Sequence, residues 1–496
     1  MSGINSFDYE YNKHLLASQH KGLQKEMIMD AFEFARSCHA GQTRKTGEPY
    51  DQHPIRVALK LNELHADYET ICAALLHDVI EDCDVSEERI AEKYNENIAN
   101  LVDGVTKIST KDKNSKTLPY IQTINKLILT IPDDVRSIII KIADRLDNME
   151  TIHGHKDEEK RKKIARETLD VYVPIATLFG FYKTKEDFEE RCFIELDKDS
   201  YNKVQAQKNY ILGYNQSLCT KLISLKSRET DDSLYKLLSS NGLPIDSIRL
   251  KDKGLYSIYR NLIENKVTDI TQVIDLITYR IIIDSEQTDK LYSAMGFVNK
   301  DYPMLNGSQY SVRDYISFPK NELYRALLTY NLLLTDNEKV QVHFEYQTPS
   351  MSKLSDYGIA SFWDYDNMQA VKDMQAYVEG MPVYTFLKYL SNGYQNGAYD
   401  DTEFFYLVKK LIFSKRIYIK LPGFDFKQTY EGITLEDFIM FNNDGFVDLN
   451  KIYYVNGKKV RRSYILHNND YVEAINRNDK DLTTNVFGGI TRGRRK

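Results

Sequence analysis

The chain has 496 residues, 42% hydrophobic and 28% charged, with only 11 prolines, which excludes a disordered chain and predicts roughly two to four folded domains. Its formal charge of −6 gives no broad electrostatic reason to bind nucleic acid, and the basic end "RGRRK" reads as a solubilising tail. No apolar run approaches the roughly 18 residues that span a bilayer, "MSGINSFDYEYNKH" lacks the apolar stretch of a signal peptide, and the five cysteines form no CxxC pair, so a cytoplasmic protein off the membrane is expected.

In chain order, residues 1 to about 195 read as almost wholly helical. "QKEMIMDAFEFARSCHAG" has amphipathic spacing and stops at Gly41, and His53-Pro54 opens another helix where the missing proline N–H costs nothing. The polar stretch "STKDKNSKTLPY" (Ser109–Tyr120) reads as a mobile loop; "VRSIIIKIADRLDNMETI" and "ETLDVYVPIATLFGF" resume the helical pattern. The texture changes near residue 240. "GLYSIYRNLIEN" is helical, but "VIDLITYRIIID" and "KVQVHFEYQT" are β-branched runs of strand type, giving an α+β domain over roughly 240–370. After a helical connector, "RIYIKLPGF", "KIYYVNGKKV" and "NDYVEAI" read as short strands of a β-rich module, with an Asn-Gly hairpin in "VNGKKV".

The chemistry concentrates in "LLHDVIED" (Leu75–Asp82), one imidazole and three carboxylates among apolar neighbours. On a single helix His77 and Glu81 are four apart, Asp78 and Glu81 three, and Asp78 and Asp82 four, so they share one broad face. His53 at a helix start and Asp144 inside "IIIKIADRL" complete a candidate set: two imidazoles and two carboxylates suit a divalent ion of the Mn²⁺ type, with Glu81 and Asp82 left to orient and deprotonate a water. On composition alone a satisfied structural histidine and a solvated acidic face fit equally well, and both readings stand at this point.

"RKTGEPYDQHP", "AALLHDVIEDCDV", "LVDGVTKIS" and "IKIADRLDNMETI", in this order and spacing, closely resemble the hydrolase domain of RelA/SpoT homologues, the bacterial alarmone enzymes. The resemblance implies Mn²⁺-dependent removal of the 3′-pyrophosphate of (p)ppGpp, giving GDP or GTP. It makes His53, His77, Asp78 and Asp144 the metal ligands and Glu81 and Asp82 the water-activating pair. Arg44, Lys45, Thr46, Asn148 and Thr151 become nucleotide contacts.

The resemblance continues into the family's synthetase domain, which transfers pyrophosphate from ATP to GDP or GTP. "KDKGLYSIYRN" matches its ATP-binding segment, with Lys251 replacing the usual arginine and Lys253 and Ser257 in place. Asp275 matches the Mg²⁺-binding acid, and Tyr324 the residue that stacks on guanine. The strand that reads "EVQIRT" in the family is "HFEYQT" here, with His343 at the essential carboxylate, and "YQSLHT" becomes "YRALLT", with Arg325 and Leu328 in place of glutamine and histidine. Glu345 lies two residues on, a shift of about 6–7 Å along a strand. Synthesis is therefore expected to be lost, leaving a regulatory body with candidate residual nucleotide binding at Lys251, Lys253, Ser257, Asp275 and Tyr324, with Mg²⁺ accompanying that nucleotide.

"IYIKLPGFDFKQTYEGITLEDF" and "VNGKKVRRSYILHNNDYVEAI" resemble a TGS domain, implying tRNA or acyl carrier protein as partner; "NNDGFVDLN" is extra. The chain ends at Lys496, so a form without the helical, zinc-finger and ACT-type domains of long members is expected, and with them goes much of the basis for predicting ribosome association. The expected fold is multidomain α+β: an all-α HD-type hydrolase domain with connecting helices at 1–195, a mixed-sheet, nucleotidyltransferase-like synthetase domain at 196–370, a helical connector at 371–414, a small β-grasp TGS domain at 415–476 and a basic tail at 477–496. The alternatives are a bifunctional synthetase/hydrolase that uses Glu345, a non-catalytic alarmone sensor, and an HD phosphohydrolase acting on another nucleotide.

Overall fold

The computed structural model describes residues 7–106, 119–131, 133–214, 216–231, 233–273, 275–307, 312–319, 322–334, 339–365, 367–414, 416–423, 425–442, 448 and 450–476. The basic tail, most of the Ser109–Tyr120 loop and the middle of "NNDGFVDLN" lie outside the described residues. The chain forms two compact units, Met1–Lys107 with Asp134–Gln375, and Ile108–Asp133 with Ala376–Lys496. The helix Pro119–Thr130 thus belongs with the C-terminal part of the chain, although it falls within the sequence span of the N-terminal helical region.

In the first unit the helices run in the expected order. Gly22–Cys38 buries Ile28, Ala31, Phe32 and Ala35 at helical spacing, and Gln52–Glu63 carries His53 and Pro54 in its first turn. Asp67 caps Tyr68–Leu76 by accepting from Thr70 N, and that helix is buried from Glu69 through Leu76. The expected single helix through "LLHDVIED" is broken. Regular structure stops at Leu76, His77 and Asp78 form a turn, and a four-residue helix follows at Val79–Asp82. Arg136–Glu150 packs its isoleucines inward and its Arg136 bonds Asp67 (2.9 Å) and Glu69 (3.1 Å). That buried pairing fixes this helix against Tyr68–Leu76, and with it the relative positions of Asp144 and His77.

A glycine contact joins the helical part to the sheet that follows. Gly358, at φ +56°, lies so close to Phe179 and Gly180 that a Cβ on it would fall 2.1 Å from the Phe179 carbonyl oxygen. Only glycine fits there, and Ile359 N donates to Phe179 O across the contact.

The sheet has five strands: β1 (Ile245–Asp252), β2 (Ile277–Ile283), β3 (Arg313–Asp314), β4 (Leu327–Leu334) and β5 (Lys339–Gln347), in the order β1-β2-β5-β4-β3. β2 and β5 are parallel and the other pairs antiparallel, so the sheet is mixed as expected. Register aligns two rows of side chains on one face: Lys251–Thr278–His343–Tyr330, and Arg249–Arg280–Glu345–Leu328–Arg313. Intervening residues such as Tyr279 and Phe344 point to the opposite face and enter the core with the helices Leu255–Glu264 and Asp289–Asp301.

In the second unit, helices Pro119–Thr130, Pro382–Gln395 and Asp401–Phe413 pack together, with Asn125 donating to Asp401 O at 2.8 Å. Beyond them β6 (Arg416–Leu421) and β7 (Asp425–Tyr430) form a hairpin, and the helix Leu435–Asn442 follows. β8 (Lys451–Val455), β9 (Lys458–Lys459) and β10 (Val472–Asn476) form a three-stranded sheet. The β8–β9 turn takes Asn456 and Gly457 at φ 52° and 75°, the pair of positive angles that Asn-Gly supplies cheaply. Among the described residues no helix is long and apolar enough to cross a membrane.

Candidate functional site

Two helices and the turn at His77–Asp78 bring the four sequence-predicted ligands together, all buried. Ligand atoms of His53, His77 and Asp144 lie within 4.8 Å of one another. Asp78 flanks them, one oxygen 3.3 Å from His77 Nε2 and the other 3.6 Å from His53 Nε2. Both imidazoles are oriented from behind. His53 Nδ1 donates to Asp147 (2.7 Å) and His77 Nδ1 to the Ala74 carbonyl (2.8 Å), so each ring directs its Nε2 at the cluster, where the neutral form offers a lone pair. His77 Nε2 has no hydrogen-bond partner among the described residues. His53 Nε2 stands 3.2 Å from Asp144 Oδ1, and His77 Nε2 3.9 Å from it. Lone pairs and carboxylate oxygens facing one another repel unless positive charge lies between them. Donors about 2.1 Å from one ion stand about 3–4 Å apart, so this N,N,O,O set fits a divalent cation.

The protonation behaviour expresses the same field. Burial disfavours a charged His53, but Asp144 and Asp147 outweigh it and carry the group up to about 9. Burial holds His77 below its ordinary value. For Asp144 burial is outweighed by Lys141, whose ammonium lies 2.9 Å away, and the carboxyl is held well below the usual range. Tyr50 donates to Asp78 at 2.9 Å; burial and the Asp78 and Asp82 carboxylates push its phenol well above the ordinary value. Glu81 and Asp82 themselves are exposed on the short helix beside the cluster, outside its buried interior.

The expected nucleotide contacts fall on two adjoining segments. Arg44 to Glu48 is a tight turn with Gly47 at φ +88°, and its Arg44 bonds Asp147 (3.0 Å) and the Asn148 side-chain oxygen. Lys45 and Thr46 are exposed, with the Thr46 methyl against Gly154. Asn148 donates to Asp144 at 2.6 Å, while Thr151 Oγ1 bonds its own helix at Asp147 O.

In the sheet domain, Lys251, Lys253, Ser257, Asp275 and Tyr324 all line one cavity of about 270 Å³, over the two side-chain rows. Asp275 sits at φ +62°, strained for a non-glycine residue, with Oδ1 2.5 Å from Lys253 Nζ. His343 stacks on Tyr330 (4.6 Å) and shares a 3.3 Å contact with Thr278 Oγ1; burial lowers it to about 4, so it is neutral at pH 7. Glu345 is held by Arg280 (3.0 Å) and the Tyr324 hydroxyl (2.7 Å).

A family model described as the HD domain matches residues 31–181, and one described as a region found in RelA/SpoT proteins matches residues 249–370. A guanosine-3′,5′-bis(diphosphate) 3′-pyrophosphohydrolase of Aquifex aeolicus is 34% identical over 97% of this chain. The chain is a RelA/SpoT homologue. A protein of the same name from Vibrio cholerae is 32% identical over 84% of the homologue, and a GTP pyrophosphokinase of Myxococcus xanthus 31% over 95%. The homologue spans 65%, 56% and 60% of those three relatives' lengths, less than two thirds of each.

The sequence reading of this RelA/SpoT homologue missed the residues that orient the site. Asp147, fully buried, accepts from His53, Arg44 and Arg56 at once. Its signal was its place one turn after Asp144 on the same helix. Burial opposes its charge, yet His53 and Arg56 hold it well below the carboxylate range. Asp147→Asn is expected to weaken divalent-cation binding about 10- to 100-fold while preserving helical content; a metal titration beside circular dichroism checks it, and unchanged affinity would remove Asp147 from the site.

Proposed function

We propose that the HD region hydrolyses the 3′-pyrophosphate of (p)ppGpp, yielding GDP or GTP and pyrophosphate, with Mn²⁺ as cofactor. The observation that carries this reading is the convergence of the His53 and His77 Nε2 lone pairs with Asp78 and Asp144 oxygens. His53, His77, Asp78 and Asp144 would hold the cation, which supplies Lewis acidity and a lowered water pKa when bound. Glu81 and Asp82 orient a water and take its proton at their carboxylate oxygens. Arg44, Lys45, Thr46, Asn148 and Thr151 hold the nucleotide, and Asp147 keeps His53 in the tautomer that presents Nε2. The relatives named as 3′-pyrophosphohydrolases support the substrate.

The sheet domain, in this proposal, no longer makes (p)ppGpp and serves as a regulatory body. Neutral, buried His343 beside Asp275 favours this, because a hard cation wants oxygen donors there. A bifunctional enzyme is the second reading, favoured by the Myxococcus relative's name. We read 196–370 as the synthetase-like domain, 371–414 as connector and 415–476 as a TGS module; the β6–β7 hairpin, single helix and β10-β8-β9 sheet support the last. Its partner would be a tRNA or an acyl carrier protein, and the setting cytoplasmic.

The test is pyrophosphate release from ppGpp with Mn²⁺, run beside incubation with ATP and GDP in Mg²⁺. Release without synthesis is expected. Binding of ppGpp with no release would sink the hydrolase reading in favour of a sensor, and appreciable ppGpp synthesis would sink the loss of synthetase.

A further inference from the structure

The isoleucine run Ile138–Ile142 in the helix Arg136–Glu150 is interrupted by one lysine, Lys141, which is only 3% exposed. A buried ammonium is costly unless a partner answers it, and a further isoleucine would have continued the run. The partner is Asp144, one turn on, whose Oδ2 lies 2.9 Å from Lys141 Nζ. The two oxygens of that carboxylate therefore face different ways. Oδ1 faces the imidazoles, 3.2 Å from His53 Nε2 and 3.9 Å from His77 Nε2, and accepts from Asn148 at 2.6 Å. Oδ2 faces the ammonium. Asp78 is divided in a similar but looser way. Its Oδ1 lies 3.3 Å from His77 Nε2, while its Oδ2 accepts from the Tyr50 hydroxyl at 2.9 Å and stands 3.6 Å from His53 Nε2.

Divalent cations differ in how they use a carboxylate. Ca²⁺ takes about six to eight oxygens and often both oxygens of one carboxylate, whereas ions of the Mn²⁺ type accept imidazole nitrogen beside single carboxylate oxygens. In a cluster with two imidazoles, Ca²⁺ gains oxygen donors by drawing both oxygens of an aspartate into its shell. At Asp144 that would set a doubly charged ion within about 5 Å of the Lys141 ammonium, in a buried site where like charges repel strongly. A cation held by Oδ1 alone keeps the carboxylate between the two positive charges.

We propose that Lys141 makes this cluster discriminate against Ca²⁺ by confining Asp144 to one oxygen toward the cation, with Tyr50 restraining Asp78 more weakly through a neutral hydrogen bond. This role rests on reading His53, His77, Asp78 and Asp144 as a divalent-cation site, and it adds what selects the ion. Lys141 is a positioning residue that acts through Asp144. A lysine that only balanced a buried charge would change the affinity for every divalent cation alike.

The experiment titrates Mn²⁺ into the metal-stripped full chain, reads free Mn²⁺ by electron paramagnetic resonance, and then displaces the bound ion with Ca²⁺. Wild type is expected to keep Mn²⁺ against a large excess of Ca²⁺. Lys141→Met, which retains the stem and deletes the charge, should narrow the Mn²⁺/Ca²⁺ affinity ratio about tenfold or more, the scale of one charge-assisted contact. Tyr50→Phe should narrow it about two- to fivefold, the scale of one neutral hydrogen bond. Circular dichroism checks that each variant folds; if Lys141→Met does not, Tyr50→Phe decides. A ratio that stays unchanged in the folded variants, because both affinities move together or neither moves, overturns the proposal and leaves Lys141 a structural counter-ion. Wild type that yields Mn²⁺ to equimolar Ca²⁺ also overturns it. Wild type that binds no Mn²⁺ sinks the cation reading as well, whereas tight Mn²⁺ binding with an unmoved ratio sinks only the role of Lys141.

Discussion

His77→Ala and Asp78→Ala are each expected to abolish divalent-cation binding and turnover together, whereas Glu81→Gln keeps the cation and loses about 10²- to 10⁴-fold in rate. The difference follows from position. His77 is buried, its Nδ1 fixed by Ala74 O, and its Nε2 is one of the converging donors. Removing it deletes a donor and leaves Asp78 and Asp144 facing each other's charge with less to offset it. Asp78 is likewise buried, and its two oxygens reach both imidazoles. Glu81 is exposed one turn further on, so its substitution leaves the donor set intact and removes a proton acceptor. Metal content after dialysis, measured beside pyrophosphate release, separates the two classes. Equal loss of cation in all three variants would show that Glu81 is a ligand and that the general base lies elsewhere, with Asp82 the next residue to change.

The candidate ligands His77, Asp78 and Asp144 stood out because each lies in a short run where charge interrupts apolar sequence, and a buried charge demands a partner; His53 stood out only as a helix start before Pro54. The distances among them were not legible, since His53, His77 and Asp144 come from separate elements brought together by the Arg136 pairing with Asp67 and Glu69. The same reading took "LLHDVIED" as continuous helix. It is broken at His77–Asp78, because tertiary demand on those two side chains outweighs a helical pattern that local spacing alone would continue. β2 and β5 were found through their β-branched residues. β1 and β4 were not: β4 is buried on both faces for most of its length, so it lacks the alternation by which strands are recognised. The replacement at His343 was visible in the chain; the capture of Glu345 by Arg280 and Tyr324 was not, because it depends on the parallel register that sets Arg280 opposite Glu345.

That capture carries the second large effect. Glu345→Ala is expected to destabilise the sheet domain by about 3–5 kcal/mol at pH 7, because it leaves the Arg280 guanidinium buried with one carboxylate fewer. Burial works against the charged Glu345, but Arg280, then Lys251 and the Tyr324 hydrogen bond, outweigh it and bring the group from an ordinary 4.5 to about 2. A carboxyl depressed in the folded state contributes stability that is fully present above its unfolded value and is lost as pH falls toward the folded one. The gap between wild type and Glu345→Ala should therefore be constant from pH 7 to about 5. It should then narrow toward pH 2 by up to about 3 kcal/mol, the equivalent of that shift. Trp363, the single tryptophan and 2% exposed, belongs to the same compact unit and reports its unfolding in urea by fluorescence. A gap that stays constant down to pH 3 would mean that the Arg280–Glu345 pair contributes no net charge stabilisation. In that case Glu345 would be mobile enough to leave Arg280 and take part in binding a cation beside Asp275, and the bifunctional reading would gain the carboxylate it lacks.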